Sequence, residues 1–254
     1  LQETPLHLAA FKGHTLCISE LLLGGADKDM VDYEGETPLF KAAVNNHLEA
    51  VAELLAAGAN SGIRDNIRYY SPLDIAAISG HATIVKAFLD KDSSAVHATD
   101  QHGYTALHYC ATVRIVGQPV GDNGDAVRVL LEAGADVNAK TTGDDPNCCD
   151  TPLHLAVNRR TASIGTIRAL LEGGANVNSH NKYERTPLHI ACSRSSTAAV
   201  ELLLRWGADE KLTDEDGTTP EDKIGAVYHH GNNNEEIEVD NQRIRHMLAR
   251  APAD

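Results

Sequence analysis

Short amphipathic stretches recur along this chain in coupled pairs. A polar Thr and a Pro precede Leu6-His7-Leu8-Ala9-Ala10, and a second apolar stretch runs to Leu21-Leu22-Leu23 before Gly24-Gly25-Ala26. The first block returns as Thr37-Pro38-Leu39-Phe40, Ser71-Pro72-Leu73-Asp74, Thr105-Ala106-Leu107-His108, Thr151-Pro152-Leu153-His154 and Thr186-Pro187-Leu188-His189, with a divergent copy at Thr219-Pro220-Glu221-Asp222. The spacings are 33, 34, 34, 46, 35 and 33 residues. The second block returns as Leu54-Leu55, Leu130-Leu131, Leu170-Leu171 and Leu203-Leu204, each ahead of its own Gly-Ala, while the third copy reads Phe88-Leu89 ahead of Asp92-Ser93. Self-similarity at this period marks a repeat architecture, in which no unit buries its apolar face alone.

Each marker has a physical task. Thr or Ser ahead of Pro predicts a helix start, since the hydroxyl accepts from a free amide and Pro suits the first helical position. The Leu and small Ala pairs that follow (Ala9-Ala10, Ala42-Ala43, Ala76-Ala77) predict an inner helix that packs closely on its neighbour. The Leu-Leu block predicts a second, outer helix that ends on Gly in the left-handed conformation. Segments such as Asp32-Tyr33-Glu34-Gly35 and Asp100-Gln101-His102-Gly103 then predict turns, with Asp opening and Gly supplying positive φ.

Two coupled motifs at this period closely resemble the ankyrin-repeat family, over essentially the whole chain. The resemblance implies an all-α fold: an ankyrin-repeat solenoid of stacked helix pairs with β-hairpin finger loops. It implies a single domain over 1–254, with repeats starting at 4, 37, 71, 105, 151 and 186 and a capping repeat at 219–254. Fingers and inner helices would form a concave groove that binds protein. The resemblance does not name the partner, because fold does not fix function.

Departures from the period carry further expectations. The fourth repeat is long in two places, Val113 to Asp125 between its helices and Lys140 to Asp150 after them, and insertions of this kind belong in loops. The last copy loses Leu-His, passes through His229-His230-Gly231-Asn232-Asn233-Asn234, and ends in a segment where Ile244, Met247 and Leu248 can form a final helix. The first copy has internal character and lacks a finger, so further sequence is expected ahead of Leu1. The third finger, ending at Tyr69-Tyr70, is one residue long and reads as lacking the turn Asp and Gly.

Composition narrows the function. A net charge of −14 disfavours nucleic acid as a partner, and no apolar run approaches the roughly 20 residues that span a bilayer. Five cysteines in a chain of 254 residues fit a reducing, intracellular and cytoplasmic setting. Cys110 and Cys192 stand where the inner helix carries Ala, so they read as buried packing residues. Cys148-Cys149 read as loop thiols, with poor spacing for one zinc ion. Asp214-Glu215-Asp216-Gly217 fails the calcium-loop frame and reads as a finger turn. His229-His230 with His246 reads as a solvated segment rather than a metal site. His7, His108, His154 and His189 share one motif position, which in this family links neighbouring repeats. Nothing assembles a nucleophile, a base and an oxyanion site. No cofactor and no metal are expected, and the chain reads as non-catalytic.

The groove positions implied by the resemblance supply the candidate site. They include Tyr33, Glu36, Arg68, Tyr70 and Tyr104 in the earlier fingers, Tyr183 and Arg185 in a later one, and Arg159 and Arg194 on inner helices. Tyr and Arg are frequent interface anchors. The expected partner is a protein or peptide that places an aromatic or apolar stretch on the middle repeats and an acidic or phosphorylated segment near Arg159 and Arg194. Asn138, in Asp136-Val137-Asn138, resembles the segment modified by the asparaginyl hydroxylase that acts on ankyrin repeats, so a modification substrate is one alternative. A regulatory domain of a larger enzyme or channel is another.

Overall fold

A computed structural model describes residues 3–112, 122–142, 148–158, 163–226 and 234–250. The second halves of the predicted helix starts are visible in the first turns. Thr37 Oγ1 accepts from Phe40 N at 3.2 Å, and Ser71 and Asp74 form a reciprocal capping box. Pro stands at the first helical position in most repeats. Helices this short are not stable alone in water, so their persistence rests on packing.

The contacts divide the chain into two compact units. The first comprises residues 1–100 and 105–135. Its inner helices are α1 (Pro5–Lys12), α3 (Pro38–Val44), α5 (Pro72–Ile78) and α7 (Ala106–Thr112). Its outer helices are α2 (Thr15–Leu23), α4 (Leu48–Ala56), α6 (Ala82–Lys91) and α8 (Gly124–Glu132). Each inner helix packs on the next inner helix and on its own outer partner, and the outer helices stack in the same order. Leu6, Leu39 and Leu107 fill one layer of the core, and Leu54, Ile84 and Leu130 fill the other. Ala10, Ala43 and Ala77 are fully buried, which is why the inner helices approach so closely.

The second unit comprises residues 101–104 and 136–254. It holds α9 (Pro152–Val157), α10 (Ile164–Glu172), α11 (Pro187–Ser193), α12 (Thr197–Arg205) and α13 (Asn234–Leu248). Here α9 packs on α11, α10 on α12, and α13 on α12. Leu153, Leu170, Leu188 and Leu203 are buried, and Ile244 and Leu248 of α13 join them. Each such side chain contributes roughly 1.5–3 kcal/mol on burial. Ser195 Oγ donates to Asn241 Oδ1 at 2.7 Å and Thr197 Oγ1 to Asp240 Oδ1 at 3.1 Å, fixing α13 at its polar edge. The helix expected around Ile244, Met247 and Leu248 is therefore present.

The fingers are turns closed like hairpins by a single pair of bonds, and no extended strand occurs among the described residues. Asp32 N donates to Glu36 O at 3.1 Å, Asn181 N to Arg185 O at 3.0 Å and Asp214 N to Thr218 O at 3.0 Å. In three repeats a buried histidine ties the next finger to the repeat before it. His7 accepts from Thr4 N through Nδ1 at 3.2 Å, so its Nε2 carries the hydrogen and donates to Glu36 O at 3.0 Å. His154 repeats the arrangement with Thr151 N and Arg185 O, and His189 with Thr186 N and Thr218 O.

This link has a pH signature. Burial lowers the pKa of His154 from 6.5 to about 4, against the bond to the Arg185 carbonyl, and burial shifts His189 the same way. The folded value lies below the unfolded one, so the neutral ring's contribution is fully present above about pH 6.5. It is lost as the pH falls toward about 4, with a magnitude on the order of 3 kcal/mol. Urea unfolding at stepped pH should show a smaller loss over this window in His154→Gln than in the wild type. Superimposable profiles would contradict the link.

Candidate functional site

The second finger shows how a turn of this type is held. Asp32 Oδ1 accepts from Glu34 N at 2.9 Å and Glu36 N at 3.0 Å, and Gly35 sits at φ 79°, beside the Asn66 backbone. The turn places Tyr33 in solvent, 72% exposed. Lys41, from the following inner helix, reaches back beneath it. Its Nζ lies 2.8 Å from Asp32 Oδ2 and 3.9 Å from Glu34, and it also pairs with Glu36. Burial works to raise the Asp32 carboxyl, but the bonds from Lys41 and the turn amides outweigh it and hold it below the ordinary range. Burial also opposes charge on Lys41, and its carboxylate partners nevertheless raise its pKa. For Glu36 burial prevails over Lys41, and its pKa is raised. Asp32, Glu34 and Glu36 have oxygens within 4.8 Å of one another, a spacing that suits a metal ion. The Lys41 ammonium already fills the centre, so a cation would have to displace it. Glu36 is thus committed inside its own finger.

Lys41 stands four residues after the Thr of its motif and meets the acid five residues before that Thr. Tyr109 and Lys223 occupy the same motif position. Tyr109 Oη donates to Asp100 Oδ2 at 2.5 Å, and Lys223 Nζ lies 2.7 Å from Asp214 Oδ2. This reach-back from helix to turn acid is absent from the sequence reading, although its signal was there: a polar residue where other copies carry Leu8, Ile75, Leu155 or Ile190.

The third finger corrects the sequence reading. Asp65 is its turn acid: Oδ1 accepts from Ile67 N at 2.8 Å and Arg68 N at 2.7 Å, and Oδ2 from Tyr70 N at 2.7 Å. The loop is one residue longer, and Tyr69 at φ 59° takes the left-handed place of Gly. Asn66 N donates to Glu34 O at 2.8 Å, joining the second and third fingers. Ile67 and Tyr69 are 64% and 55% exposed, and Arg68 is exposed beside them. Tyr70 is half-buried, its ring edge-on to Tyr109 with centroids 4.9 Å apart. Tyr104 is only 8% exposed and packs inward, unlike Tyr33. In this repeat Asp74 replaces the linking His and binds Arg64 Nη1 at 2.8 Å.

The second unit gathers Tyr183, Arg185, Arg194 and Lys223 around a cavity of about 270 Å³, floored by His189 and Ile190. Arg185 Nε lies 3.3 Å from Asp214 Oδ2, and Arg194 Nε donates to Asn158 Oδ1 at 2.8 Å. Burial works to raise the Asp214 carboxyl, and the bonds from Lys223, Thr218 and Arg185 hold it well below the usual range. The Arg185 guanidinium and the Lys182 ammonium stand 5.4 and 5.0 Å from the Tyr183 ring centroid. Arg159 lies outside the described residues, as do 113–121 and 143–147 of the two insertions and the His229-His230 pair. A second cavity, about 870 Å³, opens between α12 and α13 over Leu204, Ala208 and Met247, with Arg205, Lys211 and His246 at its edge.

The remaining candidates have structural partners. Asn138 is exposed, but its Oδ1 accepts from Asn176 N at 2.8 Å and its Nδ2 donates to Gly174 O at 3.3 Å. Asn178 makes the same pair of bonds to Asp209 N and Gly207 O. Cys110 and Cys192 are buried and burial raises their thiol pKa values, whereas Cys148 and Cys149 are half-buried with Sγ atoms 3.4 Å apart. The contrast between tyrosines is measurable. Tyr104→Ala should cost about 3 kcal/mol in urea unfolding, as a buried aromatic does, and Tyr33→Ala should stay within about 0.5 kcal/mol. Equal effects would contradict this assignment of the two faces.

The helix pairs, turn acids and His links agree with what comparison with known proteins gives. The family model described as ankyrin repeats (3 copies) matches residues 1–65, 54–141 and 141–214. The E3 ubiquitin-protein ligase KEG of Arabidopsis thaliana is 30% identical over 220 residues, covering 83% of this chain and 13% of that protein. The nuclear factor NF-kappa-B p105 subunit of Gallus gallus is 32% identical over 211 residues, covering 82% of this chain and 17% of that protein. The chain therefore spans less than a fifth of these relatives. Among solved structures, the human ASB11 ankyrin repeat domain superposes with a TM-score of 0.73 at 22% identity, covering 99% of this chain and 100% of that one. The ankyrin repeat domain of Bcl-3 gives 0.69 at 26% identity, covering 96% and 98%. With the family matched over most of its length and its linking residues in place, the chain belongs to the ankyrin-repeat family.

Proposed function

We propose that this chain is a non-catalytic interaction module that binds a protein or peptide through its finger tips and inner-helix faces. One observation carries the reading. Tyr33, Ile67 and Tyr69 stand exposed on two fingers that are bonded to each other, a concentration of large apolar side chains that folding does not require. Arg68 adds an exposed cation beside them. Aromatic and Arg side chains on a rigid support are efficient anchors, since little of their motion remains to be lost on binding. The partner's aromatic or apolar stretch meets these fingers, and its acidic or phosphorylated segment meets Arg185 and Arg194 of the second unit. Among the described residues no helix is long and apolar enough to cross a membrane.

Peptides displayed on phage and selected on the immobilised chain test this. They should converge on a motif that pairs an aromatic or apolar residue with acidic ones. Binding should fall at least ten-fold in a Tyr33→Ala, Ile67→Ala double variant. It should also fall, with a weaker dependence on salt, in Arg159→Glu with Arg194→Glu. Failure to converge, or variants that bind like the wild type, would overturn the proposal.

A further inference from the structure

The cavity of the second unit is built in a way that specifies what enters it. Arg185 and Arg194 are each fixed by the Nε donor, one on Asp214 and the other on Asn158. Among the described residues neither guanidinium spends its Nη groups on a protein acceptor. Two forks are therefore held in place with their outer donors unused, the arrangement that suits a planar or tetrahedral oxyanion. Charge points the same way. Asp214 is shared between Arg185 and Lys223, whereas Arg194 has no carboxylate partner among the described residues. The acid that lines the cavity, Asp150, is buried and already accepts from Asn181 Nδ2 at 2.9 Å. His189 is no competitor for the anion, because both its ring nitrogens are used within the repeat link.

Size favours a single side chain over a cofactor-sized ligand. At about 270 Å³ the cavity lies below the roughly 300–1,000 Å³ typical of small-molecule and cofactor sites. We propose that it is a socket for one oxyanion-bearing side chain of a bound peptide, a carboxylate or a phosphate, gripped by the outer donors of Arg185 and Arg194 against the Tyr183 ring. The socket deepens the reading of the chain as a peptide-binding module and rests on it for the origin of that side chain.

The test uses the whole chain and simple anions. Arg Nε–Hε resonances of ¹⁵N-labelled protein are followed during titration with inorganic phosphate, acetate and, as control, chloride at matched ionic strength. The Arg185 and Arg194 signals should move along saturable curves with phosphate or acetate, while exposed Arg168 stays still. Arg194→Gln should weaken the response at least ten-fold, and Arg194→Lys, which keeps the charge but loses the fork, should weaken it measurably. Phosphate binding several-fold tighter than acetate assigns a phosphorylated residue, and the reverse order assigns Asp or Glu. Linear drifts that chloride reproduces, or equal movement of Arg168, would overturn the socket. A displayed peptide that binds Arg194→Gln as well as wild type would sink the socket and leave the interaction module standing. Saturable anion binding without any selected peptide would sink the module instead.

Discussion

A buried imidazole governs how these repeats join. In His7, His154 and His189 one ring nitrogen closes the start of its own helix and the other bonds a carbonyl of the next finger. One side chain therefore fixes where the helix begins and where the neighbouring turn lies. A buried ring left without either partner would cost about 1–3 kcal/mol, so the arrangement is made whole or replaced. Both replacements occur. Phe40 substitutes apolar burial for the bond, and Asp74 keeps the capping role and recruits Arg64 as its counter-charge. Burial pushes the Asp74 carboxyl up, and the Ser71 amide and the Arg64 guanidinium oppose it.

The period and the Leu and Ala positions made the fold legible from the sequence, because each of those residues acts within its own repeat. Leu39, Leu107 and Leu188 are buried where their motif position places them. What escaped were roles that a different residue can fill. Asp65 and Tyr69 do the work of Asp and Gly in a loop one residue longer, so a fixed spacing does not find them. Glu184, Asn46 and Ser195 likewise accept left-handed backbone where Gly is usual. A bond also runs from the start of one outer helix to the end of the inner helix in the preceding repeat. His47 Nε2 bonds Phe11 O, His81 Nε2 bonds Val44 O, and Asn123 Nδ2 donates to Ile78 O. The chemistry is shared while the residue type changes, and no single-letter motif records it.

The site was less legible for a geometric reason. Tyr33 and Tyr104 both lie in finger segments, yet one faces solvent and the other packs inward. A finger reverses direction within a few residues, so one step along the chain exchanges the inner and outer faces. Composition reports that fingers carry Tyr; only the turn geometry reports which Tyr is free. Ile67 and Tyr69 are exposed for the same reason, their loop being held from below by all the bonds to Asp65.

The reach-back from helix to turn acid then sets the charge that each finger offers. At Lys41 one ammonium serves Asp32, Glu34 and Glu36, which leaves carboxylate in excess. At Lys223 the ammonium serves Asp214 and Asp216 while Asp214 also takes Arg185, so two acids face two cations. The two sites use the same motif positions and the same geometry, yet one leaves carboxylate in excess and the other balances its charges. Exposed pairs of this kind add little to stability. Buried ones are expensive to form and severe to break, so a repeat gains little by keeping one for stability alone. What such pairs can set is specificity, because the balance of charge differs from finger to finger on one scaffold.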